Sequence, residues 1–141
     1  NNDFKHSTVF RLNLATEPPT LDPMKVTDLT SFTVLLNLMR GLTQFGRNQT
    51  VEHALANHWT IDSTGKHYTF YLNPQAKWSD GQPVTAQDFV YGWKRALTAK
   101  NGSDYAFFLF DIENAKSYYD GAVPNFDKVG VKAVDSKTLS V

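Results

Sequence analysis

The chain of 141 residues balances 14 Lys and Arg against 14 Asp and Glu, and carries 10 Phe, 6 Tyr and 3 Trp but no Cys. That length supports a hydrophobic core without covalent staples, and zero net charge with no basic run argues against a nucleic-acid protein. Without Cys there are no disulfides, thiolate zinc sites, iron–sulfur clusters or cysteine nucleophiles.

Asn1-Asn2-Asp3 is neither the basic start of a signal peptide nor an initiator Met, so the chain reads as a processed or trimmed product. Val9–Leu14 alternates apolar and polar residues with the period of a half-buried strand. Pro18-Pro19 stops it by fixing φ and removing donors. Asp28–Gly41 reads as a helix, capped by Thr30 or Ser31, with Phe32, Leu35, Leu36 and Met39 on one face and Gly41 as a left-handed C-terminal cap. The longest apolar stretch, Val34–Met39, falls far short of the roughly 18–20 residues that span a bilayer.

Gly46–Gln49 is a turn, followed by a short helical piece over Val51–Ala56. His58–Ile61 and His67–Leu72 are expected to pair as a hairpin around Asp62–Lys66. Trp78-Ser79-Asp80-Gly81 makes a tight turn in which Gly takes positive φ. Thr85-Ala86-Gln87-Asp88 has the spacing of a capping box, with Phe89, Trp93, Ala96 and Leu97 as the apolar stripe of the helix it opens. Ser103–Asp120 reads as two short helical pieces with Ile112, Ala115 and Tyr119 inward. Val129–Ala133 and Thr138–Val141 read as a second hairpin. Because Leu139-Ser140-Val141 resembles the middle of a strand, the chain is expected to be a fragment. The class is mixed α and β without clean βαβ alternation.

Chemistry-bearing patterns are few. His6, His53, His58 and His67 have no metal-ligand spacing, and no nucleophile elbow, phosphate loop or dinucleotide fingerprint occurs. Asp80 and Asp88 are the one obvious carboxylate pair, so a small hydrolase domain using them is one alternative. Each also has a simpler task, Asp80 in a turn and Asp88 at a helix start. Trp59, Trp78 and Trp93 raise a second alternative, a sugar-binding surface module, against the plain expectation that the aromatics are core. Tyr105-Ala106-Phe107-Phe108-Leu109-Phe110 is too apolar for a free loop and is expected to be mostly core, with Tyr105 able to present its ring and hydroxyl to a ligand.

Leu21-Asp22-Pro23 and the run Trp78-Ser79-Asp80-Gly81…Pro83-Val84-Thr85-Ala86…Asp88-Phe89-Val90…Trp93-Lys94-Arg95-Ala96 carry a resemblance. Together with Gly41-Leu42, Trp59…Phe70-Tyr71-Leu72 and Val129–Asp135, in this order, they resemble the N-terminal part of the extracytoplasmic oligopeptide-binding proteins of ABC transporters, solute-binding family 5. The resemblance extends over nearly the whole chain from Phe10 onward. It implies an α/β fold overall, mixed α+β within this chain: an incomplete clamp of the periplasmic-binding-protein type II class. Residues 1–39 would be the N-terminal segment of the first lobe. Residues 40–141 would be a smaller attached domain, truncated at its C-terminal end, with the opposing lobe absent.

The implied function is reversible binding of oligopeptides through their backbone and delivery to a permease, with no bond made or broken. The implied ligand contacts are Thr27, Asp28 and Leu29, a short extended segment that pairs as an added strand, and Tyr105 of the Tyr-Ala segment. No cofactor or metal is implied. The implied partners are the oligopeptide and the ABC permease subunits, with no nucleic acid, and with the membrane reached only through the permease or a lipid anchor attached upstream of Asn1. The resemblance implies a monomer, exported to the periplasm or the outer face of the cytoplasmic membrane. Dipeptide, nickel, haem and sugar binders of the same family are alternatives.

Overall fold

The structure, a computed structural model, describes residues 11–141. The expected strand over Val9–Leu14 lies partly outside the described residues, and Arg11–Leu14 form no strand. No partner strand lies beside that stretch among the described residues, and a strand exists only where a neighbour takes up its backbone groups.

The N-terminal arm turns at Asp22. Its carbonyl accepts from the Lys25 N–H at 2.9 Å and its carboxylate from the Met24 N–H at 3.1 Å. Helix α1, Leu29–Leu38, follows. Its cap is Asp28, not Thr30 or Ser31: Asp28 has extended backbone (φ −114°, ψ 152°) and its carboxylate accepts from the Ser31 N–H at 2.8 Å. Asp is as good a cap as Ser, and the carboxylate also meets the positive end of the helix dipole. The helix ends at an extended Met39, and Gly41 is not left-handed. The carbonyls of Gly41 and Leu42 instead accept from the N–H groups of Leu55 and Ala56, drawing the chain directly into sheet structure.

Val51–Ala56 is not helical. β1 (Thr43–Phe45) and β2 (Val51–His53) form an antiparallel ribbon, and Ala56 begins β3. The Gly46–Thr50 turn places 51–53 opposite 43–45, and long-range pairing overrides the weak local preference of this short stretch.

The main sheet has four antiparallel strands in the order β3-β4-β6-β5, with β3 Ala56–Ile61, β4 Tyr68–Leu72, β5 Lys132–Ala133 and β6 Thr138–Ser140. Both expected hairpins are present, but the strand expected over Val129–Ala133 is confined to Lys132–Ala133, because Val129 still closes the 3₁₀ turn before it. The β3–β4 loop is organised by the Asp62 carboxylate, which accepts from the Thr64 hydroxyl at 2.8 Å and stands 2.9 Å from His67 Nδ1. Those bonds, the Thr64 one foremost, hold its carboxyl well below the usual carboxylate range.

Between β4 and β5 the chain crosses the sheet through α2 (Ala86–Leu97), short 3₁₀ turns and α3 (Ala115–Tyr119). The capping box is formed: one oxygen of Asp88 accepts from the Thr85 N–H (2.7 Å), the Thr85 hydroxyl (3.0 Å) and the Trp78 indole N–H (3.3 Å). Gly81 takes φ +87°, as the tight turn requires. The first turn of α2 is also hooked to the β5–β6 connection, where the Ala86 N–H donates to the Ser136 carbonyl at 2.9 Å. Lys137 completes the junction by donating to the carbonyls of Val84 (2.7 Å) and Asn73 (3.3 Å). The core lies between α2, α3 and the sheet, where Leu72, Leu97, Ala115, Phe126, Val131 and Leu139 are buried. Phe89 and Trp93 close over it from α2, as the stripe predicts, and Val90 joins them from outside the stripe.

Replacing Asp88 by Ala leaves the Thr85 N–H and hydroxyl and the Trp78 indole N–H without this acceptor. Asp88→Ala is expected to lower unfolding stability by about 1 kcal/mol. In urea denaturation it should move the midpoint down without changing the slope.

Candidate functional site

Two of the runs that carry the resemblance meet in one ion pair. Arg95, near the end of α2, grips Asp22 of the Leu-Asp-Pro turn through both guanidinium nitrogens, Nη1 donating to Oδ1 at 2.9 Å and Nη2 to Oδ2. Fork-to-fork geometry of this kind fixes orientation as well as distance. The Arg95 guanidinium holds the Asp22 carboxyl below its ordinary value, and Asp22 in turn raises Arg95. Nothing in the spacing of the sequence indicates this contact between residues 73 apart; the only signal is that both lie in the runs that carry the resemblance.

Beyond the Asp22 turn the arm runs through Val26 and Thr27, in neither helix nor strand, to an extended Asp28, and Leu29 begins α1. Val26 is buried at 3% exposure, Thr27 is exposed, Asp28 caps α1, and Leu29 is 82% exposed. The backbone groups of Val26 and Thr27 make no hydrogen bond with one another or with any other described residue. A buried Val26 thus anchors a stretch whose neighbour Thr27 is exposed with its backbone groups uncommitted.

Tyr105 lies elsewhere in the chain, 41% exposed at the start of a 3₁₀ turn, Ala106–Leu109. Its ring contacts Phe107 and Phe108 at centroid distances of 5.9 and 5.7 Å. Phe107 and Phe108 are 52% and 72% exposed, which corrects the expectation that this stretch is mostly core. The reason is the period of the turn: at three residues per turn Ala106 and Leu109 share the inward face, so 107 and 108 point away from it. Among the described residues no hydrogen bond or ring contact joins Tyr105 to Thr27, Asp28 or Leu29.

The other candidates have local roles. Asp80 accepts from the Gln82 N–H at 2.9 Å within its turn, and Asp88 is occupied by the capping box, so the two do not face a common point. His53 packs edge-on to Trp59 and His58 stacks on Tyr71, while His6 lies outside the described residues. Trp59 and Trp93 are half-buried, and Trp78, 46% exposed, is tethered by its indole N–H to Asp88. The three tryptophans are not in ring contact with one another among the described residues. A groove of about 1530 Å³, bordered by Lys66, His67, Asp111, Glu113, Lys132 and Val141 among others, contains none of Thr27, Asp28, Leu29 and Tyr105.

This architecture is shared with a solved binding protein. OppA of Haemophilus influenzae, in complex with the peptide RPPGFSPFR, matches with a TM-score of 0.85 and 34% identity, over 92% of this chain and 25% of that one. The chain thus has a mixed α/β fold that matches part of a substrate-binding protein. Residues 50–141 match the family model of bacterial extracellular solute-binding proteins, family 5 Middle, and the chain belongs to that family. The probable deoxycholate-binding periplasmic protein YgiS of Escherichia coli is 42% identical over 135 residues, covering 94% of this chain and 25% of that protein. The oligopeptide-binding protein OppA of Bacillus subtilis is 40% identical over 139 residues, covering 99% and 25%. The chain spans about a quarter of the length of the curated relatives it matches.

The ion pair has a pH signature. The depressed Asp22 carboxyl contributes stability in full above the ordinary aspartate value of 3.8, and loses it as pH falls through the lower folded value. Asp22→Asn is expected to lower the melting temperature by a few degrees at neutral pH. Below pH 3.8 the difference from the unaltered protein should shrink toward zero in a thermal-melt series.

Proposed function

We propose that this chain is the N-terminal portion of the extracytoplasmic binding component of a peptide ABC transporter, which captures oligopeptides and hands them to a permease. The observation that carries the reading is the close structural match, over nearly the whole chain, to a binding protein solved with a peptide bound. Residues 1–39 then belong to the first lobe and 40–141 to the smaller attached domain. Binding and release are the whole of the activity, without catalysis, in a monomer working outside the cytoplasmic membrane, where the permease or a lipid anchor supplies the only membrane contact.

Thr27 and Asp28 are the ligand strand, and Leu29, expected to extend it, is instead the first residue of α1 and adds an exposed side chain at its end. Every peptide offers the same pattern of N–H and C=O groups, so main-chain pairing gives affinity without selecting side chains. The uncommitted backbone of Thr27 beside buried Val26, and extended Asp28, support this role. Because the Asp28 side chain is spent on the Ser31 N–H and its carbonyl accepts from the Phe32 N–H at 3.1 Å, its contribution to a ligand is through its own N–H. Tyr105 contributes an exposed ring and hydroxyl, and lobe closure excludes water around the peptide. Bridging waters accommodate differing ligand side chains.

A second reading has its own support, since one close relative is named for a bile acid rather than a peptide. Calorimetry of the full-length protein with a tri- to pentapeptide mixture, and separately with deoxycholate, decides between them. Saturable heat with peptides and none with deoxycholate is expected; the converse would replace the peptide reading with the sterol one. Tyr105→Ala should weaken the bound peptide by about tenfold, the usual cost of removing a contacting aromatic anchor.

A further inference from the structure

Both proposed ligand-contact segments are tied to Arg95. Its guanidinium holds Asp22, and Asp22 builds the turn that launches the Val26–Asp28 segment: Oδ1 accepts from Arg95 Nη1 at 2.9 Å and from the Met24 N–H at 3.1 Å. The segment is fixed again at its far end, where Asp28 accepts from the Ser31 N–H, and in its middle by buried Val26. The main chain of Arg95 reaches the other segment. Its carbonyl accepts from Asn101 Nδ2 at 2.8 Å. Asn101 leads through left-handed Gly102 and buried Ser103 to Tyr105, and the Ser103 carbonyl accepts from the Ala106 N–H at 3.3 Å.

We propose that Arg95, acting with Asp22 and Asn101, is the positioning residue of the binding site, setting the ligand strand and the Tyr105 segment in register with each other. This rests on the peptide reading above. Arg95 touches no ligand in this account. A lysine in its place keeps the charge but supplies a single ammonium where the planar fork makes two parallel bonds, so the direction of the Asp22 turn is no longer fixed. The contact's value is directional, because main-chain pairing fails when a strand edge is tilted or slips out of register.

The test uses the full-length protein and three probe peptides, trialanine, trilysine and triglutamate, with dissociation constants measured calorimetrically where each variant is fully folded. Arg95→Lys and Asp22→Asn should each weaken all three peptides by about tenfold, and the double variant by no more than either single one, since they break one contact. Peptide-induced slowing of amide exchange at Thr27 should be lost in both. Asn101→Ala should weaken the peptides while leaving the Thr27 protection intact. A purely structural role would lower the melting temperature but leave the folded protein's affinities within about twofold of the unaltered protein, and that result overturns the inference. So does a loss confined to trilysine or to triglutamate, which would make the pair a charge filter. Should Asp22→Asn fail to fold, Arg95→Lys alone carries the same outcomes. An unaltered protein that binds none of the three peptides overturns the peptide reading itself, and this inference with it.

Discussion

The Asp88 carboxylate sets the direction of α2, and the docking of the N-terminal arm depends on that direction. By accepting from the Thr85 N–H, the Thr85 hydroxyl and the Trp78 indole it joins the Trp-Ser-Asp-Gly turn to the first turn of α2. The next residue of that turn, Ala86, donates to the β5–β6 connection, and Lys137 reaches back from that connection to the carbonyls of Val84 and Asn73. A helix so fixed at its N-terminus points its C-terminal half in one direction only. There Arg95 takes hold of Asp22 and the N-terminal arm is docked. The order of dependence is cap, helix, guanidinium, arm.

The apolar surface left over has a pattern. α1 is hydrophobic nearly all round, yet Leu29, Leu36 and Leu38 are 82%, 74% and 68% exposed, and Ser31 is its one buried residue. A helix of this composition is stable where it is covered on several sides, and no described element packs extensively on α1. Phe107 and Phe108 are uncovered in the same way. α2 is the contrast: its polar residues face outward, and its apolar stripe is consumed by the sheet beneath it. One portion of the chain has its partners within the described residues and the other does not. That difference matches the coverage of about a quarter of the relatives' length.

How much was legible in advance follows the range of the interactions. The β3–β4 and β5–β6 hairpins and α2 are local structures with clear turn chemistry and form at the expected places, with β5 shortened to Lys132–Ala133. Val51–Ala56 is short and weakly patterned, so its fate was decided by the strand opposite it rather than by its own residues. The choice of Asp28 over Thr30 or Ser31 as cap turned on which residue leaves the helical region first, which composition does not encode. Phe107 and Phe108 read as core by apolar density alone, while the three-residue period of the turn splits the stretch between two environments. The Asp22–Arg95 pair was illegible from spacing, since it joins two segments far apart in sequence and each residue has an ordinary role in its own neighbourhood.

The balanced charge with which the sequence opens takes on a physical meaning here. Charged groups are matched locally, Asp22 with Arg95 and Lys116 with Asp120 one helical turn on. A surface without a dominant field neither steers nor repels a ligand by its net charge. In the proposed reading that neutrality complements main-chain recognition: a site that accepts peptides of any charge is served by geometry, and the strongest ion pair at hand is used to hold the geometry rather than to meet the ligand. The Asp22–Arg95 contact is directional and partly shielded, and it lies on the path to both contact segments. Charge in this chain therefore acts on binding through the backbone it orients.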